Sequence, residues 1–141
     1  MSKRKADVPR AARRRDGLTF IASSELNGNP VEVYGRVTGQ RFAEFECCPN
    51  GACRKPSRIV IGLGHPTLWR CLRDFYHEVF EMALHLRGHR YERSGDVAGD
   101  AAAYFFWMTH EDMGEVAAQI AWFMHKTQRH VESAWRKKHK S

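Results

Sequence analysis

The sequence predicts an α+β fold in which a small antiparallel N-terminal sheet packs on two long helices. Three observations carry this. Residues 18–63 break into short apolar or alternating runs separated by Gly, Pro and Asn, the pattern of strands and tight turns. Residues 66–87 and 110–135 instead carry apolar side chains three and four apart, the helical period. The 141 residues, 43% hydrophobic and 28% charged, have the size and composition of one globular domain.

The elements follow in chain order. Residues 1–16 read as a basic, disordered arm, too poor in apolar side chains to offset the entropy of ordering. Residues 18–22 are a short strand, and Asn27-Gly28-Asn29-Pro30 marks a turn. Residues 31–34 and 41–46 alternate polar and apolar across Thr38-Gly39 and read as a hairpin with one wet face. Pro49-Asn50-Gly51 is a further turn. Residues 58–63 (RIVIGL) form a continuous apolar strand, expected at the centre of the sheet.

Gly64-His65-Pro66 opens the first helix, and Gly88 stops it. Its stripe is Leu68, Leu72, Phe75, Val79, Met82 and Leu86, spaced 4, 3, 4, 3 and 4. Residues 89–100 read as an irregular polar loop. Residues 101–108 are very apolar, and their period does not separate strand from helix turn. Thr109 with Asp112 resembles an N-terminal capping box, with Asp where Glu or Gln is usual. The second helix then runs to about Trp135, with a stripe of Met113, Val116, Ala117, Ile120, Met124, Thr127 and Val131. The folded body is thus 17–135, and 136–141 is a basic C-terminal tail.

The net charge of +7 sits at the two ends. Residues 1–15 hold seven Lys/Arg against one Asp, among them Lys3, Arg4, Lys5, Arg13, Arg14 and Arg15. The last six residues add Arg136, Lys137, Lys138 and Lys140, while 16–135 hold 12 basic and 15 acidic side chains. Such ends attract nucleic acid or an acidic partner by counterion release, or simply solubilise the chain. Trp122 falls beside Lys126 and Arg129. There an aromatic stacks on a base or anchors a protein partner, although packing on the N-terminal sheet is the plainer expectation.

No apolar run approaches the ~18–20 residues that cross a bilayer, and no secretory core follows the basic N-terminus. With Cys47, Cys48, Cys53 and Cys71 expected as free thiols, this points to a cytoplasmic protein without membrane contact. Cys48 and Cys53 flank a Pro-Asn-Gly turn, but the paired CxxC knuckles of structural zinc are missing. Phosphate-binding Gly-rich loops and a nucleophile elbow are also missing.

The sharpest chemical pattern is His77-Glu78-Val79-Phe80-Glu81, extended by His85. On a helix, residues 77, 81 and 85 stand one turn apart on one face. Two donors at i and i+4 can hold one metal ion while the intervening Glu acts as base on bound water. This HExxE, following the covered strand RIVIGLG and preceding a second long helix, resembles a minimal zincin. Over about residues 58–125, the resemblance implies a zinc-dependent hydrolase. His77 and Glu81 would be Zn2+ ligands, Glu78 the base and Glu115 of GEVAAQIAWF the third ligand. Glu81 stands where the family has its second His, and a His/Glu/Glu set also suits Mn or Mg. HEVFE with GHRYERSGD and DAAAYFF also resembles small proteins of unassigned function in tailed-phage genomes. That implies a viral protein acting in the host cytoplasm. Against both stands a plainer account: Glu81 is four residues from His77 and from His85, so ion pairs supporting a solvated face explain the same residues.

Two functions are therefore expected from sequence: a zincin-like metal protein, or a non-enzymatic viral accessory protein that binds a host protein or nucleic acid. Deleting residues 2–15 should leave the thermal midpoint almost unchanged, because few apolar contacts go with them. Unfolding or aggregation of the truncated protein would make the arm a structural element.

Overall fold

The computed structural model describes residues 17–37, 43–46, 56–87, 90–92, 104–106 and 109–140. The basic N-terminal arm and Cys47, Cys48 and Cys53 lie outside them. The architecture is α+β in two layers, a four-stranded sheet with two helices on one face. Strand β1 (Leu18–Leu26) and β2 (Asn29–Arg36) form an antiparallel hairpin. Its turn is Asn27-Gly28, with φ of 50° and 73°. Two successive positive φ angles match the right-handed twist of the strands, and Asn-Gly adopts them at least cost.

Strand β3 (Ala43–Glu46) and β4 (Ser57–Gly62) complete the sheet in the order β1-β2-β4-β3. Here the structure corrects the sequence reading in one respect. Residues 31–34 and 43–46 do not pair with each other, because β4 inserts between them. It runs parallel to β2 and antiparallel to β3, so the sheet is mixed. The reason is burial. Ile59, Val60 and Ile61 are all buried, and only a central position covers both edges of such a run.

The alternation then sorts the layers. Val33, Ile59 and Phe45 stand in register and point toward the helices. The opposite face is wet and carries cross-strand ion pairs, Arg36 to Glu44 at 3.1 Å and Arg58 to Glu46 at 2.6 Å. Tyr34 donates to Glu32 on that face at 2.7 Å. A register shift between Phe20 and Ala22 marks a bulge. Ile21 there packs against the core.

Helix α1 (Leu68–Leu86) starts two residues later than expected, because Thr67 and not Pro66 sets its cap. The Thr67 hydroxyl accepts from the Arg70 amide at 3.4 Å. After it, residues Arg90–Glu92 (β5) and Tyr104–Phe106 (β6) pair antiparallel. Part of the expected loop is therefore a strand, and the apolar run before Thr109 is a strand where it is described. Helix α2 (His110–His139) opens with the capping box: Asp112 receives the Thr109 amide at 2.9 Å and the Thr109 hydroxyl receives the Asp112 amide at 3.2 Å. It runs past Trp135 through His139, so Arg136, Lys137 and Lys138 are helical and not a loose tail. Cations there also complement the negative end of the helix dipole.

The two helices run antiparallel: Phe75 meets Phe123 at 6.4 Å, Tyr76 donates to Gln128, and Arg87 pairs with Glu115. Two polar ties fix α2 over the sheet. Gln119 accepts from the Asn27 amide at 3.2 Å, and Trp135 donates to the His65 carbonyl at 2.9 Å. No helix among the described residues is long and apolar enough to cross a membrane.

Gly35 in β2 tests this packing. A Cβ there would lie 2.6 Å from Leu63 Cδ1 and 3.0 Å from Leu63 Cγ and Ile21 Cδ1. Leu63 is itself buried, so Gly35→Ala should destabilise by about 1–3 kcal/mol, the usual cost of overpacking. Urea unfolding of the variant measures it, and an unchanged midpoint would mean that Leu63 can move aside.

Candidate functional site

The residues of the HExxE pattern occupy different environments. His77 Nε2 stands 3.4 Å from Glu81 Oε1 with a 63% exposed side chain, the helical i,i+4 pair. Glu78 is only 9% exposed and lies on the buried side of α1. His85 turns toward β3, its ring 6.2 Å from that of Phe45. Glu115 is engaged elsewhere. It binds Arg87 at 2.5 Å, with Asp112 on the same guanidinium at 3.7 Å. Arg87 lies ten residues beyond His77, about 15 Å along an α-helix axis. The structure brings His77 and Glu81 together and holds Glu115 away from them. Two donors fall short of the three protein ligands that a catalytic zinc takes. Among the described residues no group of three His, Cys, Asp or Glu side chains could hold a metal ion. The cause is the level at which the helices meet: Glu115 stands opposite Arg87 at the end of α1, while His77 and Glu81 stand earlier on it.

A second cluster was not legible as a unit. His65 is 3% exposed and its Nε2 lies 2.9 Å from Asp74 Oδ2, close but poorly aligned for a hydrogen bond. Arg73 holds the other carboxylate oxygen at 2.7–2.8 Å. With Trp135 on its carbonyl, His65 links the end of β4, α1 and α2. The Asp74 side chain is only 16% exposed. Its one sequence signal is the Gly-His-Pro that precedes the helix. Cys71 is fully buried nearby, its thiol pushed up to about 11 by burial and then by the charge of Asp74. Neither Cys71 nor His65 presents a nucleophile or base to solvent.

An apolar concave feature lies on the outer side of the helix pair. Tyr76 and Phe80 of α1 face Met113, Ala117, Ile120 and Ala121 of α2 across a groove of about 600 Å3. Tyr76 is 44%, Phe80 46% and Met113 54% exposed. None of the lining side chains is Asp, Glu, Lys or Arg. Met113 and Ala117 read as core positions in the sequence, and the structure leaves both exposed. The apolar arc of α2 is wider than its partners can cover. Phe123, which the stripe omitted, is in the core with Val116, Thr127 and Val131, and the opposite edge of the arc stays open.

A different face of α2 carries Trp122. It does not pack on the sheet: it is 54% exposed, with Lys126 Nζ 4.4 Å over its ring. Further along, Arg129, Arg136, Lys137 and Lys140 surround a shallow depression with Glu132 and Ser133.

The Cys71 environment sets a measurable behaviour. In the native protein at pH 8 the thiol should resist a thiol reagent that labels it after unfolding. Its folded pKa exceeds the ordinary 9.0, so its contribution to stability is complete below pH 9 and is lost as pH rises toward 11. Rapid native labelling of Cys71, read by peptide mass spectrometry, would contradict its burial.

No family model, curated protein or solved structure matches this chain, so the arrangement of its own side chains carries the functional reading.

Proposed function

We propose that the protein is a non-enzymatic interaction module that holds the apolar face of an amphipathic helix from a partner protein in the groove between α1 and α2. The single observation behind this is the trough free of Asp, Glu, Lys and Arg, with three large apolar side chains about half exposed at its edges. Exposed apolar surface of this kind is costly for an isolated chain unless something covers it. Two packed helices form a trough that a third fills by ridges-into-grooves packing, the usual way in which a helix is recognised. The Tyr76 hydroxyl and Gln128, joined at 2.7 Å, add one polar feature for orientation. A second copy is a poorer occupant, because it would bring its own row of α2 cations toward this one.

Two substitutions separate the groove from the fold. Ala121→Trp fills it, and Phe80→Asp places a charge in it; both positions are exposed, so the thermal midpoint should move little. A partner photo-crosslinked through position 117 should be lost with both variants. The purified partner should then bind wild type at least 10-fold more tightly than either. Retention of the partner by both variants would overturn the proposal. So would a concentration-dependent dimer, seen by sedimentation equilibrium, that Ala121→Trp dissociates.

A further inference from the structure

We infer that the outward stripe of α2 is a binding site for single-stranded nucleic acid, separate from the groove. Trp122, Lys126, Arg129, Ser133, Arg136 and Lys140 recur at spacings of 4, 3, 4, 3 and 4, so they form one line along the helix. All six are exposed. They lie on the far side of α2 from Phe123, Thr127 and Val131, which are fully buried. The line is about 27 Å long at 1.5 Å per residue.

Its chemistry is that of a strand-tracking surface: cations for phosphates and one aromatic for a base. Neighbouring cations on a helix face stand about 5–6 Å apart, close enough to meet successive phosphates of one extended strand. Arg129 and Lys140 carry no ion pair among the described residues, and Glu132 beside the line is 3.8 Å from Arg136. Lys126 covers one face of the Trp122 indole and His125 lies beside it, with ring centroids 6.4 Å apart. The remaining face takes a base, since stacking suits any base. The helix dipole accounts for cations in the last turn. It does not account for Lys126, Arg129 and an exposed Trp in the middle of the helix. Because α2 is continuous through His139, the C-terminal cations are held in line and do not have to be ordered on binding.

The test uses the full chain and a fluorescein-labelled 20-nucleotide oligothymidylate, read by anisotropy at several salt concentrations. Wild type should bind with an affinity that falls steeply with salt. Arg129→Glu with Arg136→Glu and Lys140→Glu should weaken binding at least 10-fold and flatten the salt slope by roughly 0.7 per lost phosphate contact. Trp122→Ala should weaken it about 5-fold or more, the least that one stacked base contributes. It should do so for the single strand but not for a duplex of the same length. Circular dichroism confirms that both variants keep their helix. Phe80→Asp in the groove should leave oligonucleotide binding unchanged, so this site can fail without the groove and the groove without this site. Three results would overturn the assignment. One is no binding by wild type. Another is binding that both stripe variants retain, which would place it on the N-terminal arm. The third is equal binding to phosphatidylserine vesicles with no dependence on Trp122, which marks a general polyanion surface.

Discussion

The rotation of α2 about its own axis governs the rest of the molecule. Phe123, Thr127 and Val131 are fully buried, and Phe123 packs on Phe75 of α1. The buried Thr127 hydroxyl is satisfied locally by the Phe123 carbonyl at 2.7 Å, so a polar residue in this seam carries no orphaned group. Once these residues face inward, Met113, Ala117 and Ala121 line an open groove, Trp122 and Arg129 face solvent, and Glu115 meets Arg87. A rotation by one residue, about 100°, would bury a charged side chain or withdraw Phe123 from the core. Neither is affordable when the net stability of a domain is only about 5–15 kcal/mol.

Two ties along α2 hold that rotation. Gln119 accepts from the backbone at the β1–β2 turn, and Trp135 donates to the His65 carbonyl. They lie sixteen residues apart, about 24 Å along the helix, and so act as two separated fixed points. The buried pair of His65 and Asp74 secures the second of them, with Arg73 balancing the carboxylate. In this setting His65 acts as a structural residue. It joins three elements where the chain leaves the sheet.

The two proposed surfaces follow from one helix having three kinds of face. One arc is core, the next is apolar and uncovered, and the outward line is cationic with a single aromatic. The two surfaces meet at His125, which lines the groove and stands beside Trp122. The HExxE pattern, in contrast, spans environments that differ in burial. His77 and Glu81 form an ordinary helical ion pair. Glu78 belongs to the buried side, and Glu115 belongs to Arg87.

Much of this was legible from residue order alone, wherever the governing physics is local. Asn27-Gly28 marks a turn because these residues accept two positive φ angles, although the hairpin it closes, β1 with β2, was expected one strand later. Thr109 and Asp112 cap α2 through contacts three residues apart. The apolar run 58–63 implies a covered strand, and the spacing of apolar side chains implies both helices. What depends on contacts distant in sequence needed the tertiary structure. The insertion of β4 between β2 and β3 was one such feature, since a strand's apolarity says that it is central but not which strands flank it. The outcome for Glu115 was another: a helical wheel gives its direction, but only packing gives its level opposite Arg87. The same holds for the α2 arc. Sequence spacing shows that the arc is apolar, but how much of it is covered depends on the width of the sheet and of α1 beneath it. That uncovered remainder is the groove.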